Sequence, residues 1–141
     1  MSRHPVGLLD TSTLLLLPRL GAAADLPERP LISAVTLAEL TVGPLVAEDL
    51  TERAARLAEV LQAEADFAPL PFDAQAARAF GLVAADLRGS GRKARARTFD
   101  AMIAAIAIAN DLPLYTCNAA DFAGIAGLQV VAIPHPDASP A

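Results

Sequence analysis

What narrows the choice of fold first is a set of short, mostly apolar runs that stop on acids or hydroxyls. Val6–Leu9 leads into Asp10, Thr11 and Ser12; Leu112–Thr116 leads towards Asn118 and Asp121; Leu128–Ile133 comes last. None alternates strictly between apolar and polar residues, as a half-exposed strand would, so each reads as a strand hidden on both faces. The segments between them carry helical spacing. Buried strands separated by helices predict an α/β fold with a central, mostly parallel sheet flanked by helices on both faces. In such sheets the working site lies beyond the carboxyl ends of the strands, which makes acids at strand exits the residues of interest.

The helical segments follow from their punctuation. Leu14–Leu17, ahead of Pro18, belongs to a helix that begins after the first strand. Pro27, Glu28, Arg29 and Pro30 mark a loop, Leu31 and Ile32 a brief apolar stretch, and Ser33–Val42 a helix that Gly43 and Pro44 are expected to end. From Ala47 to Ala65, Leu50, Leu57, Val60 and Leu61 recur at helical spacing among many charges, predicting an amphipathic surface helix. The apolar pattern from Leu45 to Leu61 could provide a groove for a partner segment, although core packing is the expected use of most of those leucines. Phe67–Phe72 is a candidate edge strand, since Pro69 and Pro71 cannot serve in the middle of a sheet. Asp73 can cap a helix over Ala74–Leu87, closed by Gly89, Ser90 and Gly91, and Thr98–Asn110 forms the most apolar helix. Ala119–Phe122 is a single helical turn. One domain is expected over residues 1–133, with a Pro-rich tail, 134–141, that frays.

Composition removes several functional classes. With 141 residues and 54% hydrophobic content, the chain can bury a core and is not disordered as a whole. Cys117 is the single cysteine and His4 and His135 are the two histidines, so there is neither a disulfide nor a Cys/His zinc set. A metal would need carboxylates. Ala101–Asn110 stops at Asp111, and Phe122–Pro136 is interrupted by Gln129, glycines and prolines, so neither suits a membrane helix. Arg3 and His4 ahead of an apolar region imitate a signal peptide, but Asp10 divides that region; cytoplasm is the expected compartment.

Four of the 16 acidic residues stand in apolar surroundings: Asp10, Glu39, Asp100 and Asp121. Each has a purely structural explanation. Asp10 can cap the helix after it, Thr36 and Glu39 fit a capping box, Asp100 can face the positive end of a helix, and Asn118 and Asp121 have cap spacing. Taken together those explanations weaken, because four anions at the ends of neighbouring buried elements repel one another and lose hydration. A divalent cation relieves both costs. Oxygen ligands without thiolate or imidazole favour Mg²⁺, with Mn²⁺ as a substitute, over Zn²⁺. Hydrolysis of a phosphodiester is the matching reaction, because such an ion activates water and stabilises the leaving oxygen.

Four fragments, in order, now resemble one family: Leu8, Leu9, Asp10, Thr11, Ser12; Ser33, Thr36, Glu39, Leu40, Gly43; Asp100, Ile103, Ala104, Ala105, Ala107; and Thr116, Asn118, Asp121, Phe122. The chain resembles the PIN-domain ribonucleases, especially the VapC-like toxins, over nearly its whole length. The resemblance implies a PIN-like fold in which Asp10, Glu39, Asp100 and Asp121 surround Mg²⁺ or Mn²⁺ and cut RNA. Asp10 and Asp100 are then the first-choice ligands, Glu39 a ligand or water-positioning base, and Asp121 a ligand or supporting group for another ion, since two ions could divide the work. Thr11, Ser12, Thr116 and Asn118 match nearby polar positions. The resemblance further implies a cognate antitoxin of the VapB type and a homodimer, with no membrane partner.

The net charge of −5 disfavours general binding of polyanions, yet five of the 11 basic residues cluster just before Asp100. Arg88, Arg92, Lys93, Arg95 and Arg97 could guide RNA phosphates into the acidic site. Arg97, one helical turn before Asp100, could instead orient a carboxylate. Four other readings compete. A phosphoacceptor receiver domain needs a late-strand lysine, and the one lysine is Lys93; a haloacid-dehalogenase phosphatase needs an acid at Ser12. A PIN nuclease outside any toxin pair shares the chemistry, and a non-catalytic acidic binding module remains if the four acids are separate caps.

Overall fold

The computed structural model describes residues 5–21, 25–89 and 97–137. Four strands, β1 (Val6–Leu9), β2 (Arg29–Leu31), β3 (Leu114–Thr116) and β4 (Val130–Ala132), form one sheet in the order β2-β1-β3-β4, and every pairing is parallel. Five helices accompany them: α1 (Thr11–Leu20), α2 (Ala34–Val46), α3 (Leu50–Asp66), α4 (Ala74–Gly89) and α5 (Thr98–Ala109). A 3₁₀ turn spans Ala119–Phe122. The predicted fold class is observed.

Period-2 geometry explains how one short strand serves two cores. Leu8 and Leu9 of β1 are both fully buried and point to opposite faces. Leu8 packs in a cluster with Val83 and Leu87 of α4 and Ile103 and Ile106 of α5, while Leu9 joins Leu14, Leu40 and Val60 of α1, α2 and α3. Leu114 and Tyr115 of β3 divide between the same two clusters. Tyr115 lies against Gly7, where a Cβ would come within 2.4 Å of its Cε1, so a glycine is required in β1 for that ring to fit. The middle of α5, Ala101 and Ile103–Ala107, is buried almost completely, as expected of a helix apolar on all sides.

Three expectations need correction. Gly43 and Pro44 do not end α2, which runs on to Val46. The bare Gly43 lets the Arg56 side chain lie against α2, with 3.3 Å to an added Cβ, and Arg56 Nη1 donates to the Gly43 carbonyl at 2.9 Å. A carbonyl left open near the helix end is thereby satisfied. Phe67–Phe72 is not a strand: only Leu70 bridges, exchanging bonds of 3.0 Å with Ile32 and 2.8 Å with Ala34, because the flanking prolines have no N–H to extend the ladder. On α3, Val60 is buried, but Leu50, Leu57 and Leu61 are exposed, so core packing does not account for most of its leucines. Asp49 caps this helix, accepting from Glu52 N at 2.7 Å. Asp73 caps α4 as expected, accepting from Ala76 N at 3.0 Å.

The first residues of the tail turn back, and Asp137 pairs with Arg19 at the end of α1; the remainder, 138–141, lies outside the described residues. Among the described residues, no helix is long and apolar enough to cross a membrane.

Candidate active site

The sheet changes direction at β1: the chain first adds β2 on one side and later β3 on the other. The parallel register sets Leu9 beside Tyr115, so the residues that follow, Asp10 and Thr116, meet at the carboxyl ends of the two strands. Thr116 Oγ1 donates to Asp10 Oδ2 at 2.7 Å, and Asp10 Oδ1 accepts from Thr13 N at 3.1 Å. Asp10 is thus the cap of α1 and a member of the site at once. It is 4% exposed, which fixes the carboxylate rather than leaving it to sample solvent.

A cavity of about 280 Å³ opens at this point, lined by Asp10, Thr11, Ser12, Leu15, Glu39, Asp100, Asn118 and Asp121. All four singled-out acids therefore reach one cleft, from the β1 exit, the middle of α2, the first turn of α5 and the 3₁₀ turn. Thr11 Oγ1 donates to Glu39 Oε1 at 2.6 Å and lies 2.9 Å from Thr36 Oγ1. Ser12 accepts from Asn118 Nδ2 at 2.9 Å and stands 3.4 Å from Asp10 Oδ2, while Asn118 N donates to Thr116 Oγ1 at 2.9 Å. The supporting hydroxyls and amide named from sequence form two groups, Thr11 on Glu39 and Ser12, Thr116 and Asn118 around Asp10.

The structural explanations for these acids hold only in part. Ser33, not Thr36, caps α2, accepting from Thr36 N at 3.1 Å, so Glu39 lies beyond the first turn and is not in a capping box. Asn118 makes no side-chain cap bond to the 3₁₀ turn and reaches Ser12 instead. Burial, then the charges of Asp121, Asp10 and Glu39, push the Asp100 carboxyl up to about 6, against a smaller opposing pull from Arg97. Mutual repulsion among the carboxylates is therefore felt at Asp100. Burial likewise pushes the Cys117 thiol up, which argues against an activated sulfur nucleophile beside the cleft.

The donor set suits a hard divalent ion: carboxylate, hydroxyl and amide groups facing open space, with no histidine or thiol lining the cavity among the described residues. Among the described residues, no three acids, histidines or cysteines already stand in metal-holding geometry. Such an arrangement fits an ion that takes one or two carboxylates and fills its remaining positions with water and substrate oxygens.

The basic segment is divided. Arg97 Nη1 pairs with Asp121 Oδ1 at 3.0 Å and lies 3.6 Å from Asp100 Oδ2, so it is engaged with carboxylates. Arg88 is exposed in the last turn of α4 and does not line the acidic cavity. Arg92, Lys93 and Arg95 lie outside the described residues. Two residues escaped the sequence reading as site residues: Leu15, which lines the cleft one helical turn after Thr11, and Thr36, buried behind it against Thr11 and one turn before Glu39. Spacing on α1 and α2 was the available signal for both.

Comparison with known proteins agrees with this geometry. The PIN domain family model matches residues 8–128. Ribonuclease VapC5 of Mycobacterium tuberculosis is 41% identical over 137 residues, covering 94% of this chain and 98% of that protein. Ribonuclease VapC8 of the same species is 37% identical over 102 residues, covering 72% of this chain and 90% of its own length. Among solved structures, the VapBC-5 toxin–antitoxin complex of M. tuberculosis contains a chain that superposes with a TM-score of 0.73 at 35% identity, covering 91% of this chain and 98% of that one. DNA-bound VapBC from Salmonella typhimurium gives a TM-score of 0.69 at 25% identity, covering 92% and 98% respectively. With four acids from separate elements gathered where the parallel sheet splits, and a family match spanning most of its length, this chain belongs to the PIN domain family.

Proposed function

We propose that this chain is a metal-dependent endoribonuclease, the toxin of a toxin–antitoxin pair, acting in the cytoplasm with Mg²⁺ as its ion and Mn²⁺ as a working substitute. The observation that carries the reading is the convergence of Asp10, Glu39, Asp100 and Asp121 on one cleft, in a chain whose curated relatives are named ribonucleases. Asp10 and Asp100 are assigned as the principal ligands, Glu39 as a ligand or the group that orients the attacking water, and Asp121 as a supporting carboxylate. When bound, the ion supplies a water activated near neutral pH and offsets charge on the leaving oxygen. The protein's part is to hold these groups still. Thr116 and the Thr13 N–H fix Asp10, Thr11 fixes Glu39, and Asn118 with Ser12 presents polar atoms to the phosphate. Arg88, Arg92, Lys93 and Arg95 are assigned to the approaching RNA strand, because backbone phosphates favour a cationic border.

Regulation by a VapB-like antitoxin is supported by the named complexes and by the surface. An apolar groove of about 270 Å³ runs between α1, α2 and α3, lined by Leu14, Leu17, Leu40 and Phe67 and rimmed by Glu59 and Asp66. Leu15 lines both this groove and the acidic cleft. An amphipathic antitoxin segment seated in the groove would thus deliver a basic side chain to the acids. Self-association as a homodimer is also proposed, on the family resemblance. Expressing the chain should arrest growth and create new RNA 5′ ends, co-expression of the partner should relieve the arrest, and Asp10→Asn should do neither harm nor cutting. New RNA ends without arrest would favour a PIN nuclease outside a toxin pair; neither effect from the wild type would contradict the proposal.

A further inference from the structure

Arg97 is the one described basic side chain whose ion pairs fall on the acidic cleft. It stands at the cap position of α5 but makes no side-chain cap bond, so its guanidinium is not used to close the helix. Helical spacing sets it on the same side of the first turn as Asp100, and the turn at Asn118–Asp121, closed by Asp121 N to Asn118 O at 2.9 Å, brings Asp121 up from the other side. A single nitrogen, Nη1, then lies 3.0 Å from Asp121 Oδ1 and 3.6 Å from Asp100 Oδ2. The first is a close ion pair; the second is too long for a hydrogen bond and acts through charge alone. A guanidinium cannot shed its proton within the working pH range, so this positive charge is permanent. Asp10 and Glu39 are held differently, by neutral hydroxyls and a backbone N–H. The cleft therefore has one side where acids face neutral donors and another where acids already face a cation.

Resting on the reading that the cleft holds a divalent ion, we propose that Arg97 is a resident counter-cation that occupies the Asp100–Asp121 side and restricts the free enzyme to one divalent ion, held on the side of Asp10, Glu39 and Asp100. A dication settling between Asp100 and Asp121 would have to displace the guanidinium while being repelled by it. Arg97 is on this account a positioning residue: it neutralises Asp121 and sets how many ions the acids can accept.

The test is the stoichiometry of Mn²⁺ binding to metal-stripped full-length protein, followed by the electron paramagnetic resonance of free Mn²⁺ with circular dichroism as a check on folding. Wild type should bind one ion, Arg97→Met should bind two, and Arg97→Lys, which keeps the charge, should return to one. Asp121→Asn in the wild-type background should still bind one, which keeps the idea open to refutation even if Arg97→Met fails to fold. Two ions on wild type, one ion on folded Arg97→Met at any affinity, or loss of binding in Asp121→Asn would each overturn the proposal. Absence of Mn²⁺ binding by wild type would overturn the metal reading as well, so the two failures are distinguishable.

Discussion

At the scale of single residues, the site is an arrangement of charges held close at a cost. Asp100 is the clearest instance, its carboxyl pushed up to about 6 by burial and by the other three acids. Because its folded value is raised, the folded state keeps a proton that the unfolded chain gives up. Stability of the metal-free protein should therefore fall as pH rises from the ordinary carboxylate range towards 6, and the loss is complete above that value. Asp100→Asn removes the effect. Thermal melts of metal-free wild type and Asp100→Asn should nearly coincide below the ordinary carboxylate range, at about pH 3, and separate by about 1–2 kcal/mol in favour of the variant above neutrality, a figure reduced for partial exposure. A gap that stays constant with pH would show that Asp100 does not feel its neighbours. The four acids were legible in sequence because each interrupts an apolar stretch. Thr116 and Arg97 were named there too, but which acid each meets was not: the bonds from Thr116 to Asp10 and from Arg97 to Asp121 join residues far apart in the chain, and only the register of β1 on β3 and the packing of α5 bring them together.

At the scale of elements, burial on both faces sets the tolerances. β1 serves both cores, and Gly7 in it leaves room for the buried ring of Tyr115, with 2.4 Å between an added Cβ and Cε1. Gly7→Ala should therefore destabilise the protein by about 1–3 kcal/mol through overpacking, read as a lowered midpoint in urea with an unchanged slope. An unchanged midpoint would mean that the ring moves aside freely. Strands, helices and their order could be read from apolar runs and caps, since these are local signals. The end of α2 could not, because a long-range contact from Arg56 supports Gly43 beyond the point where Gly and Pro would normally stop a helix. The same limit applies to α3, whose leucine pattern shows an apolar face without showing whether anything covers it; Leu50, Leu57 and Leu61 prove to be exposed.

At the scale of the whole molecule, the parallel sheet divides the work between its two sides and its edge. Two hydrophobic clusters hold β1 and β3 rigid, and the ends of those strands, with α2, α5 and the 3₁₀ turn, present acids to one cleft. An adjoining apolar groove shares Leu15 with the cleft, so the proposed partner site and the proposed catalytic site would meet at one residue. Net charge of −5 makes the protein as a whole a poor attractant for RNA, so the proposed function calls on the ion and the basic segment to draw phosphate in. The most direct measurement is cleavage of an end-labelled RNA by purified, metal-stripped protein as Mg²⁺ is added back. The account predicts no cutting in excess chelator, full recovery with Mg²⁺, and a loss of at least about 100-fold in folded Asp10→Asn; full cutting in chelator, or by that variant, would contradict it.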